Sequence, residues 1–413
     1  MIAWAIVVQP SIGNGHFNDG IATSSMTSLH PAGIVVALCI MRILLALDKF
    51  KGSLTAIQAS DAVARGLQRA GWLGEVEICP IADGGEGFAG AVMNTLGGEW
   101  CEAPVHDAQG RLITVRYGLI QREGRHEAVM EMSAASGLAM VSDLPLDPRK
   151  ASTRGTGEMM RHALSHGAQR ILIGIGGSAT NDGGSGMAAA LGFRFLDEAG
   201  AEVMDLPADL ERVCRIDGTN RLACDVVVAS DVTNPLLGER GATRIYGPQK
   251  GVREVEFFES RLERLADLVK RDLRCDYRET SGAGAAGGLG FGLMSFCGAR
   301  LECGFDLVAN MTGLPDRVSR ADIVITGEGK LDSQTLHGKG PMGVASMARA
   351  AGKRVAGIGG IIEESEALAA QFDLLIQVKP PGMSMAEAIN QAAELLEECV
   401  ARNASAIMEL AKS

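Results

Sequence analysis

The sequence predicts an α/β protein built as two domains interleaved along the chain. Three observations carry that reading. Short aliphatic runs bounded by glycine alternate with segments of helical period, a stretch near residue 100 replaces this rhythm with period-two runs, and the first rhythm then returns.

Taken in order, RILLAL at Arg42–Leu47 reads as a buried strand, followed by DKFKGSL and a helix from about Thr55 to Ala70. VEICPI leads through ADGGEG into a helix ending near Leu96. This is the grammar of parallel strands joined by crossover helices. LITVRYGLI and HEAVMEM then alternate apolar and polar positions with no helix between them, the mark of antiparallel strands. A second, mixed-sheet domain is therefore expected over residues 101–284. RILIGIGG at Arg170, VVVAS at Val226, DIVITG at Asp322 and RVAGIGG at Arg354 restore the βα pattern. The first domain then consists of residues 41–100 plus 285–413. An amphipathic helix from about Met385 to Leu410 is expected to dock on its sheet. Residues 1–40 lack the basic start of a secretory signal, and the apolar run from Ile34 is cut by Arg42, short of the roughly 20 residues that span a bilayer. They read as a non-core extension ahead of a start at Met41, with a genuine tail as the alternative.

Composition narrows the classes. A chain of 413 residues, 46% hydrophobic, supports more than one core, and with 4% aromatics and 53 glycines that core is aliphatic with much bare backbone. A formal net charge of −11 argues against nucleic acid, whose phosphates are met by accumulated Lys and Arg. Nine cysteines without a CxxC pair read as reduced thiols of a cytoplasmic protein. No membrane partner is expected, and a homo-oligomer stays open.

Ligands of open α/β sheets collect beyond the carboxyl ends of parallel strands. Those ends deliver Asp48, Lys49, Lys51 and Ser53; Asp83 and Glu86; Ser178, Thr180, Asn181 and Asp182; Asp231, Asn234 and Lys250; and Gly327, Glu328, Gly329, Lys330, Asp332, His337 and Lys339. Any one of these loops alone is ordinary turn and cap chemistry. Five at one sheet edge ask for a ligand. Backbone N–H groups and lysines suit phosphates, carboxylates suit Mg²⁺, and one further acid can accept a hydroxyl proton, which is the inventory of phosphoryl transfer. No GxxxxGK[ST] occurs, so a P-loop is excluded. GIGGSA at Gly174 followed by Asp197 is the rival, a dinucleotide turn that would make the protein an NAD-dependent enzyme acting on a small hydroxy acid. SATNDGG then puts polar residues where that helix should be apolar.

The strings FKGSL, ADGGEG, EMSAASGL, RGTGEMMRHAL, IGIGGSATNDGGSGMAAALG, SDVTNPLLGERGATRIYGPQKG, GAGAAGGLG and VITGEGKLDSQTLHGKGPMGVA closely resemble, in order, the bacterial type-1 glycerate kinases. The resemblance runs from about Met41 to near the C-terminus. It implies a flavodoxin-like, discontinuous domain beside a less common α/β domain, with the site between them. It also implies ATP-dependent phosphorylation of D-glycerate, with 2-phosphoglycerate as the expected product, in glyoxylate or sugar-acid degradation. Departures are Lys49 where that family has a small polar residue, Gly340 where it has valine, and GGI at Gly359–Ile361 where it has AGS. A non-catalytic sugar-acid sensor, the third class, would be expected to lack acids that are all present here.

The expected roles are Asp182 as general base, with Asn181 orienting it, and Lys51 or Lys250 as the cation for the substrate carboxylate. Asp48, Ser53, Asp231 and Asn234 complete the substrate site. Glu328 and Asp332 would hold Mg²⁺, while Lys330 and Lys339 meet ATP phosphates with Gly327 and Gly329. Gly284 and Gly287 serve either nucleotide contact or close packing. His337 is expected as a hydrogen-bonding neighbour. Asp83 and Glu86 serve the site or cap the helix that follows them.

Overall fold

The computed structural model describes residues 27–29, 35–37, 41–218, 222, 224–337, 340–363 and 365–411. Among the described residues, strands Thr27–Leu29 and Val35–Ala37 pair only with each other, outside the two large sheets.

The first sheet is wholly parallel and has five strands, in spatial order Leu374–Gln377, Arg354–Ile362, Ile323–Leu331, Arg42–Leu47 and Glu75–Ile78. Numbered along the chain and read from the Glu75–Ile78 edge, that order is 2-1-3-4-5, the flavodoxin-like order, and it reverses direction between Arg42–Leu47 and Ile323–Leu331. Helices Ala56–Arg69 and Ala392–Leu410 cover one face, with Val63, Leu67, Leu396 and Val400 in its core. Helices Leu314–Arg320 and Pro341–Ala350 cover the other. Thr55 caps its helix in a reciprocal pair with Gln58, which fixes the start the sequence predicts. The expected single C-terminal helix is instead two, Met385–Asn390 and Ala392–Leu410. Gln391 leaves helical geometry at φ −110°, ψ 19° and ends the first of them.

The second sheet has six strands, ordered Arg300–Glu302, Asp225–Ala229, Arg170–Gly174, Arg125–Glu131, Leu112–Arg122 and Glu99–His106. The first four are mutually parallel; Leu112–Arg122 then pairs antiparallel with Arg125–Glu131, as the two period-two runs predict, and Glu99–His106 adds antiparallel at the edge. Elements built on this sheet extend past residue 284. Helix Ala285–Cys297 is buried in its core, and Arg300–Glu302 is its edge strand. Helix Phe88–Leu96 also packs on it, through Phe88 and Val92 against Val129, Leu172 and Val227.

One helix belongs to both interiors. Gly304–Thr312 sends Phe305 and Ala309 into the core of the parallel sheet, and Leu307, Val308 and Met311 into the core under the six-stranded sheet. No described helix is long and apolar enough to cross a membrane. The eight described cysteines are all free.

Candidate active site

The loop 82–87 is where the carboxyl ends of the two sheets meet. Gly84 lies so close to the end of strand Asp225–Ala229 that a Cβ there would sit 2.6 Å from the Ala229 carbonyl oxygen. A Cβ on Gly176, just past strand Arg170–Gly174, would stand 2.6 Å from the Gly85 Cα. Backbone packed on backbone is what the bare glycines of ADGGEG and GIGG permit. Asp83 shapes this loop by accepting the Gly85 N–H at 3.0 Å, and its other neighbour is the ammonium of Lys49 at 3.3 Å.

Lys49 and Asp48 leave the end of strand Arg42–Leu47, and Glu328 lies near the end of the adjacent Ile323–Leu331. All three therefore sit at the reversal point of the parallel sheet. The Asp48 N–H donates to the Gly327 carbonyl at 2.8 Å, joining the two strand ends. Burial raises the Asp48 carboxyl to about 6, with Lys49 pulling it down and Asp83 adding to the rise. Glu328 is raised to about 7, first by burial, then by the charges of Asp48, Asp332 and Asp83, against the Thr335 hydroxyl that donates to it at 2.8 Å. For Lys49, burial works to lower the ammonium, but Asp48 and Asp83 overcome it and the net shift is upward. Four carboxylates thus face a shared space with one half-buried lysine.

Asp332 follows the same strand. Its carboxylate accepts the Thr335 N–H at 3.3 Å and pairs with Lys330 at 3.0 Å, while Lys330 also meets Glu363 at 2.7 Å. Glu328 and Asp332 are therefore linked through Thr335. Among the described residues no three His, Cys, Asp or Glu side chains form a ready-made metal cage. Mg²⁺ does not require one, because it takes one or two carboxylates and completes its shell with phosphate oxygens and water; the Glu328–Asp332 pair fits that donor set.

Asp231 joins from the other sheet. It follows strand Asp225–Ala229 and accepts the N–H of Gly304, whose Cα packs on the Asp83 carbonyl. Lys51 and Ser53 lie on the same loop as Asp48. Lys51 is exposed, while the Ser53 hydroxyl is turned onto the Phe50 carbonyl at 2.9 Å.

Other expected site residues are placed elsewhere. Asp182 is 0% exposed and accepts four hydrogen bonds, from the Thr153 N–H and hydroxyl and from the Gly184 and Gly186 N–H groups. It ties the starts of helices Arg154–Ser165 and Ser185–Ala190 together inside the core and has no face toward the carboxylates. A general base must reach its hydroxyl, so that assignment is not carried forward. Asn181 is buried and donates to Thr243 at 3.0 Å. Lys250 is 2% exposed, its ammonium donating to Ser178 at 2.5 Å and to the Thr180 carbonyl at 2.7 Å; burial lowers it to about 7, with Asp182 opposing. It is enclosed and already engaged by the 178–182 loop. Asn234 holds its own loop, donating to the Arg240 carbonyl and accepting from Tyr246.

Gly284 and Gly287 resolve to close packing. Gly287 takes a left-handed φ of 67° and rests on the Thr180 carbonyl, while the Gly284 N–H donates to the Asn234 carbonyl at 2.9 Å. Gly327 is likewise packed on the backbone of Ile358. The helix after ADGGEG is not capped by Asp83 or Glu86. Glu131 takes that place, accepting the Gly87 and Ala89 N–H groups at 3.1 and 2.8 Å. Sequence reasoning missed this residue, although its place at the end of HEAVMEM was a signal, and it named Lys49 at the strand end and as a departure without giving it a role. The dinucleotide turn is also not formed. After Gly174 the chain runs through a ten-residue connection before a helix opens at Ser185, so no helix start lies under the glycines. Lys339 and the His337 side chain lie outside the described residues.

A profile of the Glycerate kinase family matches residues 43–408. The glycerate kinase of Bacillus subtilis (strain 168) is 40% identical over 381 residues, covering 90% of this chain and 99% of that protein. The glycerate 2-kinase of Escherichia coli (strain K12) is 41% identical over 330 residues, 78% of this chain and 86% of its own. Among solved structures, a candidate glycerate kinase 2 from Salmonella typhimurium LT2 matches with a TM-score of 0.78 at 38% identity, covering 90% of this chain and 99% of that one. With the profile running almost from the first parallel strand to the last helix, and relatives aligned along the same length, the chain belongs to the glycerate kinase family.

Proposed function

We propose that this kinase transfers the terminal phosphoryl group of ATP to the 2-hydroxyl of D-glycerate, giving 2-phosphoglycerate, with Mg²⁺ as the metal. The reading places it in the cytoplasm, in the degradation of glyoxylate or sugar acids. The observation that carries it is the group of Asp48, Asp83, Glu328 and Asp332 where the strand order reverses, in a chain of this family.

Asp48 is the general base of this scheme. It is buried, and its carboxyl is raised to about 6, which leaves it ionised at neutral pH yet basic enough to take a hydroxyl proton. Glu328 and Asp332 would hold Mg²⁺, which supplies charge neutralisation on the phosphates when bound. Lys49 meets the glycerate carboxylate, a role Lys250 cannot take because its ammonium is enclosed. Lys330, Lys339 and Lys51 remain for the nucleotide phosphates.

The test is a coupled assay with D-glycerate, ATP and Mg²⁺, with the product read by phosphorus NMR. A signal of 3-phosphoglycerate would move the attacked hydroxyl and overturn the regiochemistry. Lys49→Met is expected to raise the KM for glycerate about tenfold or more, with the KM for ATP nearly unchanged; the reverse pattern would remove Lys49 from the substrate side.

A further inference from the structure

The reaction scheme gives the loop 176–182 no part, yet a buried ammonium is committed to it. Lys250, 2% exposed, donates to the Ser178 hydroxyl at 2.5 Å and to the Thr180 carbonyl at 2.7 Å. An ammonium has donors and no acceptor, so the Ser178 Oγ can only accept from it and must turn its own O–H proton elsewhere. Among the described residues no acceptor takes that proton, and none takes the N–H of Gly177 or of Ser178. Three donors are thus unmet within two successive residues, at a serine that is itself 6% exposed. Donors so enclosed are rarely left unmet unless something outside the chain accepts from them.

The place of this turn says what that acceptor is. The Gly176 N–H donates to the Gly84 carbonyl at 3.3 Å, which seats the turn on the loop of Asp83, where the Gly85 N–H holds the Asp83 carboxylate. Gly177 is exposed, and a Cβ on it would stand 3.6 Å from the Cβ of Ser133, whose hydroxyl donates to Glu131 at 3.5 Å. The charge of Lys49 acts on both Glu131 and Asp83, so the turn and the Lys49 ammonium border one space. The turn is also fixed before any ligand arrives. The Leu138 N–H donates to the Gly177 carbonyl and the Ala179 N–H to the Ser136 carbonyl, each at 2.9 Å, and Gly177 takes the left-handed φ of 78° that this path requires. Fixed N–H groups and a hydroxyl with a cation behind it suit an anion.

We infer that the Gly177–Ser178 turn receives the carboxylate of the substrate, with the Ser178 hydroxyl and the two N–H groups on one side of it and Lys49 on the other. Lys250 does not touch the substrate. It is a positioning residue, which turns the Ser178 proton outward and places positive charge behind it. This rests on the glycerate reading above and supplies the second half of its carboxylate site.

The test combines steady-state kinetics with calorimetric titration of D-glycerate into the full chain. Ser178→Ala is expected to raise the KM for glycerate about tenfold, with kcat within about threefold and the KM for ATP within about twofold. Lys250→Met is expected to do the same, and it adds a readout that lost packing would not give. Burial lowers the Lys250 ammonium to about 7 against the pull of Asp182, the charged group that acts on it. A neutral amine can take the Ser178 proton back, so wild-type kcat/KM for glycerate is expected to fall as pH rises above about 7. In Lys250→Met that falling limb is lost; a limb that persists overturns the role of Lys250. Should this variant fail to fold, Ser178→Ala decides alone. An unchanged KM for glycerate in Ser178→Ala overturns the inference, and so does a rise confined to the KM for ATP, which would give the turn to a phosphate. Wild-type protein that binds D-glycerate, loses that binding on Ser178→Ala, and yet transfers no phosphoryl group to it would sink the proposed reaction and leave the turn standing.

Discussion

At the scale of single residues, carboxylates of similar appearance in the sequence do opposite work. Asp48 and Glu328 are acids raised to about 6 and about 7 from ordinary values of 3.8 and 4.5. Between those limits the folded chain holds more protons than the unfolded one, so stability of the ligand-free protein is expected to fall as pH rises from about 4 to about 7. Glu328→Gln removes part of that cost. It should raise the melting temperature at pH 8 while lowering kcat about a hundredfold or more, measured by thermal scan and coupled assay. A stabilised variant with full turnover would clear Glu328 of any role in the reaction. Asp182 is the contrast, since an asparagine in its place would turn an NH₂ toward donors that the carboxylate now accepts from. Asp182→Asn is expected to lose about 3 kcal/mol of stability, seen in urea unfolding, while the folded fraction keeps kcat within a few fold. The sequence did not separate these cases. Asn-Asp-Gly-Gly reads alike whether its acid faces a ligand or pins two helix starts. Lys250 was equally opaque, because nothing in GPQKG announces that its ammonium folds inward onto Ser178.

At the scale of elements, what was legible was what glycine and periodicity write directly. RILLAL, RILIG, DVVVA and the Ile323 run all became parallel strands, and the two period-two runs became an antiparallel pair, the second of which also runs parallel to Arg170–Gly174. Connections were harder to read. The capping of Phe88–Leu96 by Glu131 is a long-range contact that no local pattern encodes. The contact of loop 82–87 with Gly176 is the most exacting of these. Gly176→Ala would drive a methyl to 2.6 Å from the Gly85 Cα. It is expected to cost about 1–3 kcal/mol and to displace Asp83 from Lys49, lowering kcat/KM for glycerate. Full activity with unchanged stability would mean that the loop yields freely and that its close seating is incidental.

At the scale of the molecule, two sheets that a sequence reading keeps apart by boundaries are joined through helix Gly304–Thr312. Its five core residues are split between two interiors, each large side chain contributing about 2 kcal/mol of burial. Loss of either interior would expose part of this helix. A single cooperative transition is therefore expected in calorimetry, with near-ultraviolet and far-ultraviolet signals coincident. Two resolved transitions would show the halves to be energetically separate.

The double allegiance of that helix also limits how substrates come and go. Sliding the two sheets apart would pull Phe305 or Val308 into water, whereas tilting them about the helix leaves both seated. Whatever gap admits glycerate must therefore open as a jaw does, widest far from this pivot and nearly fixed beside it, where Gly304 holds Asp231.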